Sequence, residues 1–403
     1  MSKRVKNALT TAHIKTLLAR IGSGVGGTKP ELTQRLQSDL SIPKLQDGNK
    51  TSRILSVDMG IRNMAFCVCD VSVDHSNRLL SRKPSVKLDV LAWEPISVSD
   101  LAQYEEESPS SDPAALMSSQ ISQQGKESFR PSTLSRTAYL LLKRKLLPYA
   151  PQTILIEQQR YRTNASAAIQ EWTYHVNMLE GMIWAILETL KQESAGRLRT
   201  AASEAPFPSV FPVSPARVAA FWMDNSELGR AIRDESLVNR ATKRSSRSSS
   251  DPVEAEEGAA GDADDSSAKK GKTMSRSKVE KKVKIKLVEQ WLLRNADKPS
   301  PSRSDCDVQL SFDAPEAKLM RDVFISKLSK SAKGAGGRKK KTAAATEVAA
   351  QPVDHSPLPD PKKLDDLADC LLQAAAWAQW EGNRRAMLGL DDGTLREVAE
   401  RCS

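Results

Sequence analysis

The sequence predicts an α/β fold, in which buried strands are combined with long amphipathic helices. Two apolar runs, residues 54–58 and 63–69, flank a glycine-containing turn, a pattern typical of a β-hairpin. The run Thr153–Glu157 is rich in β-branched residues and lacks polar alternation, as expected of a strand that is buried on both faces. Residues 165–192 and 362–378 are predicted helices, and the first of them carries one broad apolar face.

Three shorter elements complete the predicted domain. Residues 134–147 form a helix that connects the early strands to the strand ending at Glu157. A further strand is predicted over Ser209–Val213, and a helix over residues 281–293. The basic edge of this last helix is expected to face solvent or DNA.

Two carboxylates end predicted strands, Asp58 in the first run and Glu157 in the buried one. A charged side chain at the end of a buried strand is costly unless it is paired or bound to a metal ion. The alternative for either residue alone is a strand end that reaches solvent.

Three more acids lie in the first turns of the last predicted helix, at Asp365, Asp366 and Asp369. Capping is one explanation, because the helix dipole favours negative charge at this end. Residues three or four apart share a helix face, however, so Asp369 is close to both of the others and the like charges repel. A cation between these acids would relieve that repulsion.

Three motifs together resemble the fungal mitochondrial Holliday-junction resolvases, which are RuvC-like members of the ribonuclease H superfamily. The motifs are residues 57–63, 156–162 and 363–369, with the sequences Val-Asp-Met-Gly-Ile-Arg-Asn, Ile-Glu-Gln-Gln-Arg-Tyr-Arg and Lys-Leu-Asp-Asp-Leu-Ala-Asp. They occur in the order found in that family, and the resemblance covers roughly residues 51–385.

The resemblance implies a ribonuclease H-like fold, a mixed central sheet flanked by helices, with Asp58 and Glu157 on neighbouring strands. It also implies a four-acid site that binds two Mg²⁺ ions, for which Mn²⁺ can substitute. Acids four apart on the last helix are typical of the family, which selects Asp365 and Asp369. Bacterial relatives use a spacing of three, which would select Asp366 instead, and both alternatives stay open.

An all-carboxylate site suits magnesium, which prefers oxygen ligands. Two such ions can activate water and stabilise the leaving oxygen when a phosphodiester is cut. The four histidines are scattered and no CxxC pair is present, so nothing in the sequence favours zinc.

Basic residues follow the second motif directly, at Arg160 and Arg162 on either side of Tyr161. Solvated surface arginines are the simpler explanation on spacing alone. The similar run in the resolvase family favours DNA contact near the scissile phosphate instead.

The N-terminal residues 1–45 are predicted to form a small helical hairpin. One amphipathic helix ends near Gly22, and a second begins after Thr28, whose capping box includes Glu31. The arrangement resembles a SAP motif, a DNA-binding hairpin, and this resemblance selects Lys15 and Lys29 as DNA contacts. The alternatives are a generic basic face or a targeting segment.

Charge is concentrated at this end of the chain. Residues 1–50 hold nine Lys or Arg against three Asp or Glu, in a chain of formal charge +10. Such a segment is attracted to phosphates. The first 30 residues lack acids altogether, a composition shared with mitochondrial transit peptides. Together with the resemblance, this predicts a mitochondrial location, with the nucleus as the alternative.

Much of the remaining chain has low complexity. Disordered insertions are predicted at residues 97–130, 240–279 and 329–361, and residues 386–403 are predicted to be a C-terminal tail. No run of 18 apolar residues is present, so no membrane span is expected. Five cysteines suit a reducing compartment.

The function expected from these observations is a magnesium-dependent endonuclease that resolves four-way DNA junctions by paired symmetric nicks. The resemblance implies a homodimer, and the helix containing Trp172, Leu179 and Trp184 is the predicted interface. Two alternatives remain: a non-catalytic nucleic-acid-binding or mitochondrial transcription factor with the same fold, and a nuclease acting on RNA hybrids or plain duplex DNA.

Overall fold

The computed structural model describes residues 8–45, 51–61, 64–73, 85–98, 129–159, 171–198, 206–226, 228–231, 276–293, 308–334 and 364–402. No helix within these ranges is long and apolar enough to cross a membrane. The predicted insertions fall largely outside them.

A six-stranded mixed sheet forms the centre of the fold, with the order β5-β4-β1-β2-β3-β6. Strands β1, β2 and β3 form an antiparallel meander, and β4 runs parallel to β1. At the two edges, β5 is parallel to β4 and β6 is parallel to β3. The strands are β1 (Ser52–Asp58), β2 (Met64–Val73), β3 (Val86–Ile96), β4 (Thr153–Glu157), β5 (Ser209–Val213) and β6 (Val308–Ser311).

Nine α-helices of ten or more residues lie within the described residues. They are α1 (Thr11–Arg20), α2 (Lys29–Ser41), α3 (Pro131–Leu140), α4 (Glu171–Leu198), α5 (Pro215–Asn225), α6 (Arg276–Leu293), α7 (Pro315–Gly334), α8 (Leu364–Met387) and α9 (Asp392–Cys402). A π-helical segment, Leu141–Leu146, continues α3.

The two faces of the sheet are covered by different helices because side chains alternate along each strand. In β1, Ile54 belongs to the core under α5, α6, α7 and α8, whereas Leu55 belongs to the core under α3 and α4. Helix α8 packs closely on its face, since its buried stretch contains small residues such as Ala374, Ala375 and Ala376. The predicted α/β class and the mixed sheet flanked by helices are therefore confirmed.

Helix α8 is fixed in place by tryptophan side chains that donate hydrogen bonds to its backbone. The indole of Trp93, on β3, donates to the Leu367 carbonyl at 2.9 Å, and that of Trp222, on α5, donates to Leu372 at 3.0 Å. On α8 itself, Gln373 donates to the Ser56 hydroxyl of β1 at 3.0 Å. All of these groups are buried, so their hydrogen bonds fix where α8 lies on the sheet.

A third apolar cluster joins the two ends of the chain. Helices α1 and α2 form the predicted hairpin, and its core residues Leu17, Leu18 and Leu32 pack with Leu395 and Ala399 of α9. Residues 386–403, expected as a tail, thus include a helix that covers the hairpin. A two-helix unit buries little surface alone, so a third helix completes its core.

Several sequence predictions are matched by the described elements. The β1–β2 hairpin, the strands β4 and β5, and the Glu31 carboxylate accepting the Thr28 N–H at 2.8 Å are all present. Strands β3 and β6 and helix α7 lie outside the predicted elements. In β3, exposed Lys87 and half-buried Asp89 interrupt the apolar pattern.

Candidate active site

Asp58 and Glu157 end two neighbouring parallel strands. The register pairs Val57 with Ile156, so the two acids follow side by side at the carboxyl ends of β1 and β4. The Met59 N–H, just after β1, donates to Glu157 Oε2 at 3.3 Å. Asp58 itself is buried, with 8% of its surface exposed, and shares a hydrogen bond with Glu157.

The first turns of α8 bring further carboxylates to the same edge. Burial raises the pKa of Asp58 well above its usual range, and the hydrogen bond and charge of Glu157 raise it further, followed by the charges of Asp369 and Asp366. Residues from three separate parts of the chain therefore share one region of negative potential. This is the convergence that the motifs predict.

Asp369 shows the cost of this crowding most directly. Burial raises its pKa to about 6, and the charges of Glu157 and Asp365 add to the effect even though Lys284 opposes it. Desolvation and neighbouring like charges both disfavour an ionised carboxylate. The cluster therefore has more negative charge than the surrounding protein compensates.

Two lysines of α6 supply part of the missing positive charge. Lys284 Nζ donates to Asp369 Oδ2 at 2.9 Å and lies 2.8 Å from Oδ1, an approach that lacks hydrogen-bond geometry and leaves this buried atom without a donor. Lys281 Nζ donates to Asp365 Oδ2. The basic edge of this helix was expected to face solvent or DNA, but these two side chains face the acids. The prediction was wrong for Lys284, whose side chain is only 16% exposed, whereas the Lys281 side chain is 57% exposed and still faces solvent. Lys284 is turned inward because buried apolar residues of α6, such as Leu287, fix the side of the helix that meets α8.

Asp365 and Asp366 have different surroundings. Asp365 is paired with Lys281 and its charge acts on Asp369, whereas the charge of Asp366 acts on Asp58. Both therefore interact with the cluster, and the choice between them as ligands remains a prediction.

The chemistry of the donors suits a hard divalent cation, because the oxygens come from carboxylates. Within the described residues, no three acidic, histidine or cysteine side chains are spaced to hold one ion as they stand. Lys284 instead places its ammonium group against Asp369. The carboxylates thus fit a metal in kind, and rotation of side chains away from the lysines would be needed to bind it.

Glu180, on α4, is a carboxylate near the site that the sequence motifs do not mark. It accepts the Gln159 N–H at 3.2 Å and so holds the chain just beyond β4. Burial raises the pKa of Glu180, and the charge of Glu157 contributes to the rise. Its position in the middle of a helix, on an otherwise apolar face, was the feature of the sequence that could have indicated Glu180.

The predicted basic contacts are only partly described. Arg160, Tyr161 and Arg162 lie outside the described residues. Lys15 on α1 and Lys29 on α2 are both exposed on the hairpin, as a DNA contact requires.

A mixed sheet with acids from β1, β4 and a late helix at one edge defines a ribonuclease H-like domain. The chain belongs to the family described as mitochondrial resolvase Ydc2 / RNA splicing MRS1, whose sequence model matches residues 54–387. The resemblance inferred from the three motifs is thereby confirmed.

Individual relatives agree with this assignment. The mitochondrial cruciform cutting endonuclease 1 of Schizosaccharomyces pombe is 27% identical over 201 residues, which are 50% of this chain and 62% of that protein. The match thus spans less than two thirds of the relative's length.

Two solved structures are also similar. The yeast mitochondrial Holliday junction resolvase Ydc2 shares 17% identity, with a TM-score of 0.44 over 94% of this chain and 97% of that one. Thermus thermophilus RuvC in complex with a Holliday junction substrate shares 16% identity, with a TM-score of 0.20 over 42% and 69%.

Proposed function

We propose that the protein is a metal-dependent endonuclease that resolves four-way DNA junctions by paired symmetric nicks, with mitochondrial DNA as its substrate. The observation that carries the proposal is the convergence of Asp58, Glu157 and Asp369 at one sheet edge, in a cluster with excess negative charge. The name of the Schizosaccharomyces pombe relative, a mitochondrial cruciform cutting endonuclease, supports the same substrate and location.

Asp58, Glu157, Asp369 and one of Asp365 and Asp366 would hold the metal ions. Two Mg²⁺ ions, or Mn²⁺ in their place, supply Lewis-acid activation of water and charge stabilisation of the leaving 3′ oxygen when bound. The buried position of Asp58 keeps bulk water from solvating its carboxylate, which strengthens its interaction with any cation. Glu180, by binding the Gln159 N–H, fixes the backbone that carries Glu157.

The lysines of α6 have a role in the same scheme. In the absence of metal, Lys284 and Lys281 neutralise Asp369 and Asp365. If the acids held metal ions instead, the ammonium groups of Lys284 and Lys281 would be available to bind substrate phosphates. Lysine is a good general phosphate ligand, because it is a compact point charge on a flexible stem.

A homodimer and a DNA-binding hairpin belong to the proposal as well. A twofold dimer would place two active sites with the symmetry of a four-way junction. Leu179 is fully buried in the core of the single chain, so it cannot form part of the interface proposed on α4. Half-buried Trp184 remains a candidate, and a monomeric mass in sedimentation would contradict the dimer.

A cleavage assay on three substrates tests the proposed function. Purified protein is incubated with a four-way junction, a matched duplex and an RNA–DNA hybrid, with magnesium or with EDTA. Paired nicks near the junction centre that require magnesium are expected. Equal cutting of plain duplex would contradict junction specificity, and binding without any cutting would favour a non-catalytic factor.

The same assay separates the two candidate helix ligands. Asp365→Asn and Asp366→Asn are compared at saturating junction and limiting magnesium. The ligand is the residue whose substitution raises the magnesium concentration needed for half-maximal cleavage, since a lost carboxylate weakens the metal site directly. Equal effects would show that both acids contribute.

A further inference from the structure

A second positively charged feature lies where the N-terminal hairpin meets α5, at the end of the sheet that holds the proposed active site. Strand β5 pairs with β4 so that Val213 is opposite Glu157, and the Gln158 N–H donates to the Val213 carbonyl at 2.9 Å. Helix α5 begins two residues later, at Pro215. Its first turn, with the exposed side chain of Arg217, therefore lies at the same edge of the sheet as the acids.

The loop between the two hairpin helices reaches this point. Gly22 has a φ of +72°, and any side chain there would collide with the Trp380 ring of α8. The loop is thus pinned to the catalytic domain by a position that requires glycine. Arg217 Nη1 donates to the Gly22 carbonyl at 3.4 Å, which places its guanidinium group against the loop.

A second guanidinium group approaches the same loop from the hairpin. Arg35 Nη1, on α2, donates to the carbonyls of Gly24 and Gly26, both at 2.7 Å. A Cβ atom at Gly24 would lie 3.6 Å from Arg35 Nη1 and 3.7 Å from Arg217 Nη2. Two positive groups from separate parts of the chain therefore flank one glycine.

The acids close to this pair are already engaged. Glu31, four residues before Arg35, accepts the Thr28 N–H, and Glu381 is bound by Arg384 and Arg385. Among the described residues, neither Arg35 nor Arg217 forms an ion pair. The charge of Arg35 acts on the nearby Glu31 without forming an ion pair, so both guanidinium groups still lack a paired carboxylate, and an anion between them would interact favourably with both.

The loop itself leaves open space in which a phosphate group could lie. Gly24 to Gly27 contains three glycines, and a side chain at Gly26 would meet only open space. A backbone without side chains lets a phosphate approach the peptide groups closely. The exposed Lys29 follows at the start of α2, where the helix dipole also attracts negative charge.

We propose that Arg217 and Arg35, with the loop Gly24–Gly27 between them, bind the phosphate backbone of a duplex arm and connect the hairpin to the catalytic edge. The surface deepens the proposed function, on which it rests, by assigning a DNA contact to the catalytic domain itself. A duplex is favoured over a small anion because the positive groups continue from α5 across the loop to Lys29.

Arg217→Ala in the full chain tests the inference. Binding to a fluorescent four-way junction is followed by anisotropy without divalent metal, between about 50 and 200 mM salt. One lost phosphate contact lowers the slope of log K against log salt by about 0.9 and weakens binding about five- to tenfold near 0.1 M salt. Arg217→Lys is expected to retain the slope, since a phosphate contact needs a cation there.

Two controls separate this result from its alternatives. Lys318→Ala removes an exposed charge from α7, which packs against β3, three strands away from β4 in the sheet, and is expected to leave both values unchanged. An unchanged slope for Arg217→Ala would overturn the inference. If the slope is unchanged and the melting temperature falls, the role of Arg217 is purely structural. The slope is measurable on plain duplex too, so failure of junction specificity leaves this test intact.

Discussion

The two ends of helix α8 bury carboxylates in opposite electrostatic surroundings. Near its start, Asp369 lies among like charges and its pKa is raised to about 6. About three turns further on, the fully buried Glu381 is bound by Arg384, Arg385 and the Lys44 N–H. Burial alone would raise the pKa of Glu381, but these hydrogen bonds hold it below its usual range.

The difference separates a structural acid from a functional one. Every oxygen of Glu381 is satisfied by the protein, so its charge stabilises the docking of the hairpin. The acids at the other end are left undercompensated, which costs stability and favours a cation from outside. Burial alone therefore does not distinguish a structural acid from a functional one. What distinguishes them is whether hydrogen-bond donors and positive charges compensate the buried carboxylate.

The largest effect is expected from Asp58→Asn. Cleavage should fall roughly a thousandfold or more, because metal-site charge stabilisation is worth several kcal/mol. The melting temperature of the metal-free protein should stay equal or rise, since one buried like charge is removed. Junction cleavage and thermal unfolding are measured on the same preparation, and a strong loss of stability would place Asp58 with the structural acids.

Glu381→Gln should behave in the opposite way. Removing its charge leaves Arg384 buried without its partner, at a cost of about 3–5 kcal/mol in the free energy of unfolding. Urea unfolding measures this change. A difference below about 1 kcal/mol would show that the two ends of α8 do not differ as described.

Lys284→Ala tests whether the lysine occupies the place of a metal ion. Without metal the variant should melt lower than the wild type, because Asp369 loses its partner. Magnesium should then raise its melting temperature by more than in the wild type, by about 2–4 °C, since the ion no longer competes with an ammonium group.

Lys286→Ala is the matched control for this variant. Lys286 is exposed on the same helix, so its removal should change neither melting temperature nor the gain with magnesium. Equal gains in wild type and Lys284→Ala would contradict the competition.

The smallest effect concerns pH in the metal-free protein. A carboxyl whose folded pKa is raised to about 6 from 3.8 destabilises the folded state when ionised, so stability is gained as pH falls from 7 through about 6. Asp369→Asn lacks this gain. As the pH falls over this range, the free energy of unfolding of the wild type should therefore rise relative to that of Asp369→Asn. A difference between the two that stays constant from pH 7 to pH 5 would contradict the raised pKa.

The acids on the strands could be predicted because each follows an apolar run in the sequence. Asp58 and Glu157 end apolar runs, and a strand end at a sheet edge is visible in one sequence. Lys284 could not be found in this way, since four of the residues from 281 to 286 are lysines and nothing local distinguishes the one that faces Asp369.

Contacts between distant parts of the chain account for most of what remained. The docking of α9 on the hairpin joins residues more than 350 positions apart, and neither segment alone shows its partner. Arg217 likewise could not be selected from the sequence, because its position relative to the acids depends on the pairing of β5 with β4. Local pattern gave the elements and the acids, whereas the lysines and the second basic surface depend on tertiary packing.

Helix α8 also fixes a length. Asp369 lies in its second turn, and Trp380, against which Gly22 is pinned, lies eleven residues further on, or about 16 Å along the helix axis. That span corresponds to about five base pairs of B-form DNA. Helix α8 would thus hold the acids and the hairpin loop at a fixed distance. If the loop binds a duplex arm, that distance would determine, to within a few nucleotides, where the strand is cut.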